Sequence, residues 1–329
     1  MRRSTATGIA SSIVGLLLLV YLVRRVGLAE IAEGARAVGW GFLALVALGG
    51  LRFALRALAW RLSLDDPSRL RWRDAFAATL AGDALGNVTP LSVIVSEPAK
   101  VAYVQPQLPL GPGAAALAVE NFLYSLSAAV MVALGMLALL FVFALPEPLH
   151  TIAVLALGAM IGLLLASFWM IGRRLAVLSP VVRLVFGPGR RASRWLARIQ
   201  ALEAKTYAAY DRRRGRLLPV ILCEASFHVL GVAEIYLTLW LLAGAAPSIL
   251  TAFLLESVNR VITVVFKIVP LRVGVDEAGT ALVTNVLGLG TATGVTLALV
   301  RKGRVLVWVI VGLLLMVRRG LRVKELMKN

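Results

Sequence analysis

Residues 90–97 read Pro-Leu-Ser-Val-Ile-Val-Ser-Glu, and residues 270–277 read Pro-Leu-Arg-Val-Gly-Val-Asp-Glu, so one motif, P-L-x-V-x-V-x-E, occurs twice. The two copies lie 180 residues apart, and the residue before the glutamate is polar in both. At the same offset the apolar segment 40–62 aligns with 220–242, and the proline-interrupted segment 75–95 aligns with 255–275. Agreement of the flanking segments in order and spacing predicts that the chain arose by duplication.

The composition places the duplicated chain in a membrane. Of its 329 residues, 60% are hydrophobic and 16% are charged, and the mean hydropathy is +0.86. The 35 Lys and Arg against 17 Asp and Glu leave a net charge of +18. This apolarity excludes a disordered chain and a soluble nucleic-acid-binding protein, and a single cysteine excludes a disulfide scaffold. We therefore predict one all-α polytopic membrane domain over residues 1–329.

Six segments are apolar and long enough to be spanning helices, namely 8–23, 40–62, 112–144, 151–171, 217–242 and 291–317. Basic loops orient them, because cytoplasmic loops carry an excess of Lys and Arg. Residues 61–73, the basic segment 173–216 and the basic C-terminal tail are therefore assigned to the cytoplasm. We expect a multi-pass protein of the cell (inner) membrane with both termini inside. The apolar residues within segment 173–216 favour either an amphipathic helix on anionic lipid or a solvated loop.

This orientation gives the two repeats, residues 37–144 and 217–320, opposite directions in the membrane. The six spans agree with these loop positions only if segments 75–95 and 249–269 do not cross the membrane. Each would enter and leave on one side, as a re-entrant helical hairpin. Inverted repeats with broken helices near the midplane are typical of transporters, because they build one site that either face can reach. The alternative is that the prolines mark ordinary loops between conventional helices.

Polar and charged residues concentrate around both motif copies, where a membrane interior makes them candidates for function. The first copy contributes Asp83, Asn87, Pro90, Ser96, Glu97, Lys100, Glu120 and Asn121. The second copy contributes Asn259, Arg260, Pro270, Arg272, Asp276, Glu277, Arg301 and Arg304. The first copy presents Glu120 where the second presents Arg301 one residue later. An acidic half and a basic half suit an anionic or zwitterionic lipid head group.

Charged residues also lie on the spanning segments that precede each motif. Arg52 and Arg56 are one helical turn apart, so both face the same way and could hold a phosphate, whereas Arg56 could instead reach the interface by snorkelling. Glu224, His228 and Glu234 share segment 217–242 and could form a proton path, or His228 could simply bond to a neighbouring glutamate. We expect no metal site, cofactor or nucleic-acid partner, because zinc needs three or four ligands and no ATP-binding P-loop pattern occurs.

With these motifs identified, the chain resembles the membrane domain of lysylphosphatidylglycerol synthases and their stand-alone, flippase-like relatives. The likeness rests on Gly-Asn-Val-Thr-Pro-Leu (86–91), Ser-Glu-Pro-Ala-Lys (96–100), the stretch 269–279 and Val-Arg-Lys-Gly-Arg (300–304). The resemblance implies a domain that moves a lipid between leaflets, with aminoacylated phosphatidylglycerol and hopanoids among the substrates of the family. Carried over by position, the two proline turns, Glu97, Glu277, Arg272, Arg301 and Arg304 would line the site.

Two departures from the family pattern bear on the substrate. Many relatives have a Gly-Gly pair after the first proline and a Glu-Arg where this chain has Glu120-Asn121, while Ser-Glu-Pro-Ala-Lys is similar to the hopanoid-associated relatives. The soluble aminoacyl-transfer domain of the synthases is missing from the sequence, so we expect no synthesis of lysylphosphatidylglycerol. We predict a lipid transporter that is not an enzyme and that could form homo-oligomers. The alternatives are an intramembrane head-group transferase and a non-transporting scaffold.

Overall fold

The computed structural model describes residues 33, 36–89, 92–105, 107–173, 217–267 and 269–319. The elements of this part of the chain are all helical, which confirms the predicted all-α class. The long helices are α1 Gly41–Leu62, α2 Trp72–Val88, α3 Ser92–Tyr103, α4 Leu110–Val142, α5 Glu147–Arg173, α6 Leu217–Ala243, α7 Ile249–Val265, α8 Val275–Val286 and α9 Thr291–Arg318. Two short 3-10 turns cover Pro67–Arg69 and Pro270–Arg272. The predicted span 8–23, Pro90 and residues 174–216 of the basic segment lie outside the described residues.

Four of these helices, α1, α4, α5 and α6, are long and apolar enough to cross a membrane. They coincide with the predicted segments 40–62, 112–144, 151–171 and 217–242. Large apolar side chains on their surfaces point outward, as in Phe141 (83% exposed) and Phe168 (67% exposed), which suits contact with lipid tails. Helix α9 has the length of a span, but Arg301, Lys302 and Arg304 interrupt its apolar sequence.

Both proline-interrupted segments form pairs of helices, and both pairs are longer than predicted. In the first, α2 packs along α3 and ends at Val88. The backbone of the next residue, Thr89, is extended, as expected directly before a proline. In the second, α7 is followed by the turn Pro270–Arg272 and then by α8, which packs on α7. The predicted bounds stopped at residues 95 and 269, whereas the second helix of each pair contains the end of the motif and continues to Tyr103 in α3 and to Val286 in α8.

The helices pack in a reciprocal pattern around α1 and α6, which lie against each other. Helix α2 contacts α1, α3 and α9, and α7 makes the corresponding contacts with α6, α8 and α4. Helix α1 also touches α9 and α4, as α6 touches α4 and α9. Exchanging α1–α4 for α6–α9 therefore maps these contacts onto one another. Helix α5 packs chiefly on α4 and has no counterpart among the described helices.

Candidate functional site

A buried cluster of opposite charges joins α1, α6, α7 and α9, and we call it the arginine–glutamate centre. Its members are Arg52, Glu234, Glu256, Arg260 and Arg304, all less than 9% exposed. Arg52 donates from Nη1 to Glu234 Oε2 at 2.9 Å and from Nη2 to Glu256 Oε1 at 3.3 Å. Arg304 Nε lies 2.6 Å from Glu234 Oε1. One arginine of α1 therefore links two acids of the other half of the fold.

The second acid of the centre, Glu256, is saturated with donors. Besides Arg52, it accepts hydrogen bonds from Arg260, one turn further along α7, and from Asn259 Nδ2 at 3.0 Å. Arg260 also donates from Nη1 to the hydroxyl of Tyr124 on α4, at 3.1 Å. Hydrogen bonds to charged groups are the stronger class, and this set holds the carboxylate in one position.

Two glycines on the central helices allow this close packing. A Cβ at Gly231 of α6 would lie 2.4 Å from Glu256 Oε1, and a Cβ at Gly49 of α1 would lie 2.7 Å from Arg304 Nη1. Both distances are below ordinary van der Waals contact. The charged groups therefore lie directly against the backbones of α1 and α6, where a larger residue would displace them.

Aromatic rings lie against two of the buried arginines of the centre and against Arg56. The guanidinium of Arg52 lies 4.4 Å and that of Arg260 5.1 Å from the ring centroid of Phe227. Arg56 lies 4.0 Å from the centroid of Tyr124. These distances allow cation–π attraction, which stabilises a cation that has left water. His228 stacks on Tyr124, and its Nε2 lies 3.0 Å from Ser127 Oγ. Its Nδ1 has no hydrogen-bond partner among the described residues, so the alternative that this histidine bonds to a neighbouring glutamate is wrong.

A second buried cluster joins α1, α3 and α4. Arg56 Nε lies 2.7 Å from Glu120 Oε1, and its Nη2 donates to Asn121 Oδ1 at 3.1 Å. Asn121 in turn donates to Glu97 Oε2 at 2.8 Å, and Lys100 Nζ donates to Glu97 Oε1 at the same distance. Arg56 therefore points into the protein, and the alternative that it snorkels to the interface is wrong.

The glutamate of each motif copy contacts the long helix that follows it. Glu97 accepts from Asn121 of α4, and Glu277 accepts from Lys302 Nζ of α9 at 2.5 Å. Glu277 is fully buried and also accepts from the backbone N–H of Gly274 at 2.8 Å, at the start of α8. These contacts attach the helix pair α2–α3 to α4 and the helix pair α7–α8 to α9. Arg301, one residue before Lys302, donates instead to Thr280 Oγ1 at 3.1 Å.

The turn in the second copy is conformationally strained. Leu271 and Arg272 have φ values of 50° and 48°, in the left-handed region that side-chain-bearing residues rarely adopt. Such positions cost of order 1–3 kcal/mol each and cluster at functional sites. Arg272 Nε lies 3.5 Å from Asp276 Oδ2 across this turn. The strain therefore coincides with a predicted site residue.

The structure brings most of the predicted site residues into these two clusters or the adjoining turn. Ser96 joins the second cluster, with its Oγ 3.5 Å from Glu97 Oε1. Asp83 and Asn87 form a hydrogen-bonded pair on α2, in which Asn87 Nδ2 donates to Asp83 Oδ2 at 2.9 Å. The Asp83 carboxyl also interacts electrostatically with Lys100 and Arg56 of the second cluster. Among the described residues, no group of three His, Cys, Asp or Glu could hold a metal ion.

Sequence reasoning left several contact residues out of the predicted site. These are Arg56, considered only as a phosphate ligand or a snorkelling residue, Glu234, considered only for a proton path, and Tyr124, Phe227, Glu256 and Lys302. The pairing of the two glutamates with Arg52 could have been predicted from charge alone, because an arginine within a membrane span needs an acid at the same depth on a neighbouring span. The aromatic residues gave no such signal, since tyrosine and phenylalanine are ordinary residues of an apolar helix.

Comparison with known families identifies the family of this chain. A family model described as the lysylphosphatidylglycerol synthase TM region matches residues 8–314. No curated protein and no solved structure gives a significant match. The matched range contains both motif copies and every residue of the two buried clusters.

Proposed function

Because the chain belongs to the family of the lysylphosphatidylglycerol synthase transmembrane region, we propose that it moves an anionic or zwitterionic lipid between the leaflets of its membrane. The observation that carries the proposal is the arginine–glutamate centre between α1, α6, α7 and α9. Charges within a membrane are costly and are retained where they bind substrate, ions or each other. A polar centre at the contact of the two halves is where a head group would pass while its tails stay in lipid.

The reciprocal packing of α1–α4 and α6–α9 supports an inverted repeat. Transporters of that architecture bind substrate between the repeats and expose it to either side by rocking one repeat against the other. The broken segments that carry Glu97 and Glu277 would then approach the substrate from both halves. Glu97 is hydrogen-bonded to α4 and Glu277 to α9. These bonds would transmit a movement of each proline turn to the long helix that follows it.

Charge in the second half favours an anionic head group. The arginine–glutamate centre holds three arginines against two glutamates, and Arg301 lies close to both Glu256 and Arg304. Arg301 Nη1 is buried with no hydrogen-bond partner among the described residues. A guanidinium matches phosphate in shape and donor geometry. Arg301 and Arg304, with Arg52 and Arg272, would hold the phosphate of the lipid.

The experiment that tests this function is lipid transfer in reconstituted vesicles. The purified protein is placed in vesicles that contain tail-labelled fluorescent phosphatidylglycerol, and the label reaching the outer leaflet is quenched by an impermeant reductant. We expect transfer in the wild type and its loss in Arg301→Ala and Glu277→Gln. Arg318→Ala is the matched control, since it lies on the same helix at an exposed position. Transfer unchanged in both site variants would contradict the proposal.

The proposal also makes the chain a transporter and not an enzyme. Incubation of the purified protein with phosphatidylglycerol and candidate head-group donors, followed by mass spectrometry of the lipids, separates the two classes. A transporter changes the position of a lipid and forms no new covalent product. A new lipid species that disappears in Asp276→Asn would instead support a head-group transferase.

We further propose an inner-membrane location, with the basic loop 61–73 and both termini in the cytoplasm beside anionic lipid. Single exposed cysteines test this in a Cys223→Ser background. Ser68→Cys should react with an impermeant thiol reagent only after the cells are opened, and Ala246→Cys should react in intact cells. The reverse pattern would overturn the orientation.

A further inference from the structure

Glu120 of α4 and Glu224 of α6 are buried acids whose carboxyl groups face each other. Each side chain is about 1% exposed, and the two carboxyls lie within hydrogen-bonding reach. No N–H or O–H group of the described residues donates to either oxygen of Glu224. A buried carboxylate without a donor is costly, because it has lost its water and gained nothing in exchange.

The charged groups around this acid pair do not balance it. Arg56 reaches it from α1, and Lys100 and Glu97 approach it from α3. Helices α7 and α9 also pack on α6. Their charged residues Glu256, Arg260 and Arg304 belong to the arginine–glutamate centre, and Lys302 pairs with Glu277. Arg301 donates to Thr280, and Arg318 is exposed. Asp83 of α2 and Lys267, which follows α7, interact with the same charges. Among the described residues, four acids (Glu97, Glu120, Glu224 and Asp83) therefore face three cations (Arg56, Lys100 and Lys267). One additional positive charge would make the group neutral.

We propose that Glu120 and Glu224 bind one proton between them and that this proton bridges the two repeats. Two carboxylates in hydrogen-bonding contact repel each other when both are ionised, and a shared proton turns the repulsion into a hydrogen bond. Glu120 is held by Arg56, so it is the acceptor of the bond. Glu224, which has no other partner among the described residues, carries the proton and donates it.

The position of the pair gives the proton a mechanical consequence, which rests on the proposed function. Glu120 lies in repeat one and Glu224 in repeat two, so the hydrogen bond closes a contact between the halves that rock during transport. Loss of the proton leaves two like charges in that contact and favours its opening. Lipid movement would thereby be coupled to proton binding, with Glu224 as the group that exchanges the proton.

Infrared spectroscopy of the whole protein in lipid nanodiscs tests the proton site directly. A protonated carboxyl has a carbonyl stretch distinct from that of a carboxylate, and it shifts when the proton is replaced by deuterium. We expect this band in the wild type at neutral pH, shifted by carbon-13 labelling of glutamate carboxyls. We expect its loss in both Glu224→Gln and Glu120→Gln, because either remaining acid ionises once its acidic neighbour is gone. Glu147→Gln, at the exposed start of α5, is the matched control.

The outcomes separate the proton site from the proposed function. Absence of the glutamate band in the wild type, or its loss in only one of the two variants, overturns the shared proton, and the isotope-labelled wild type gives an answer even if a variant fails to fold. In the vesicle assay, transfer by the wild type should change with pH, and transfer by Glu224→Gln should not. An intact band without lipid transfer refutes the transport proposal alone, and equal pH dependence in both proteins refutes the coupling.

Discussion

Replacing Gly231 by alanine tests whether the arginine–glutamate centre depends on direct contact with the backbone of α6. The new Cβ would lie 2.4 Å from Glu256 Oε1, 2.8 Å from Glu256 Cδ and 3.2 Å from Arg52 Nη2. Ordinary contact begins at 3.4 Å, so the carboxylate must move by roughly 1 Å. The hydrogen bond from Arg52 to Glu256 is already 3.3 Å long and would break.

The expected loss follows from three contributions. A lost hydrogen bond to a charged group costs about 1.5–3 kcal/mol and overpacking about 1–3 kcal/mol. The higher helix propensity of alanine returns about 1 kcal/mol. We therefore expect Gly231→Ala to lower the free energy of unfolding by about 1.5 to 5 kcal/mol and to stop lipid transfer.

The assay is thermal unfolding of the purified protein in nanodiscs, run beside Gly158→Ala. No atom lies within 4 Å of a Cβ placed at Gly158 on α5, so this control makes the same substitution without a clash. Its unfolding midpoint should match or slightly exceed that of the wild type. Equal midpoints and equal lipid transfer for the two variants would refute the reasoning, because the close approach at α6 would then have no energetic consequence.

Three further predictions concern other contacts. Arg52→Ala removes two hydrogen bonds between charged groups, at about 1.5–3 kcal/mol each, and should lower the free energy of unfolding by about 3 to 6 kcal/mol in the same thermal assay. Glu277→Gln and Lys302→Gln should be non-additive by about 0.5–3 kcal/mol in a double-mutant cycle, because they remove one ion pair. Two hydrogen bonds from Ser68 lower the pKa of the Asp66 carboxyl, so Ser68→Ala should raise it in an NMR titration of carbon-13-labelled aspartate.

These three predictions have their own controls. Arg69→Ala removes an exposed arginine and should leave the unfolding midpoint unchanged, and an equal loss in both arginine variants would contradict a special role of Arg52. Strict additivity in the cycle would show that Glu277 and Lys302 act independently. Because the pKa of Asp66 is lowered in the folded protein, its stabilisation is present at neutral pH and is lost as the pH falls through the folded value.

The spanning helices could be predicted because a membrane demands a continuous apolar length. Segment 40–62 becomes α1, Gly41–Leu62, and segment 217–242 becomes α6, Leu217–Ala243. Asp66 accepts a hydrogen bond from Ser68 N–H at the start of the turn Pro67–Arg69, a contact between residues two positions apart. These features are determined by residues that are close together in the sequence, so the sequence alone is sufficient to predict them.

Which side chains contact each other in the site depends on how each helix is rotated about its axis. The hydropathy of the sequence gives no information on that rotation. The repeat offset aligns Asn121 with Arg301, so an exact repeat would place Arg301 beside the second motif glutamate. In the structure Lys302 contacts Glu277, and Arg301 contacts Thr280. One residue along a helix turns the side chain by about 100°, so a register difference of one residue exchanges the partner.

The long sequence separation within the arginine–glutamate centre has a consequence for how the protein is made. Arg52 lies 182 residues before Glu234 and 204 before Glu256. At a synthesis rate of about 5–20 residues per second, Arg52 is made about 10 to 40 s before its first partner. During that time an unpaired guanidinium sits on a newly inserted helix, so we expect the first half to depend on an insertase or a chaperone until the second half arrives. Expressed alone, the first half should be degraded rapidly, and co-expression of the second half should protect it.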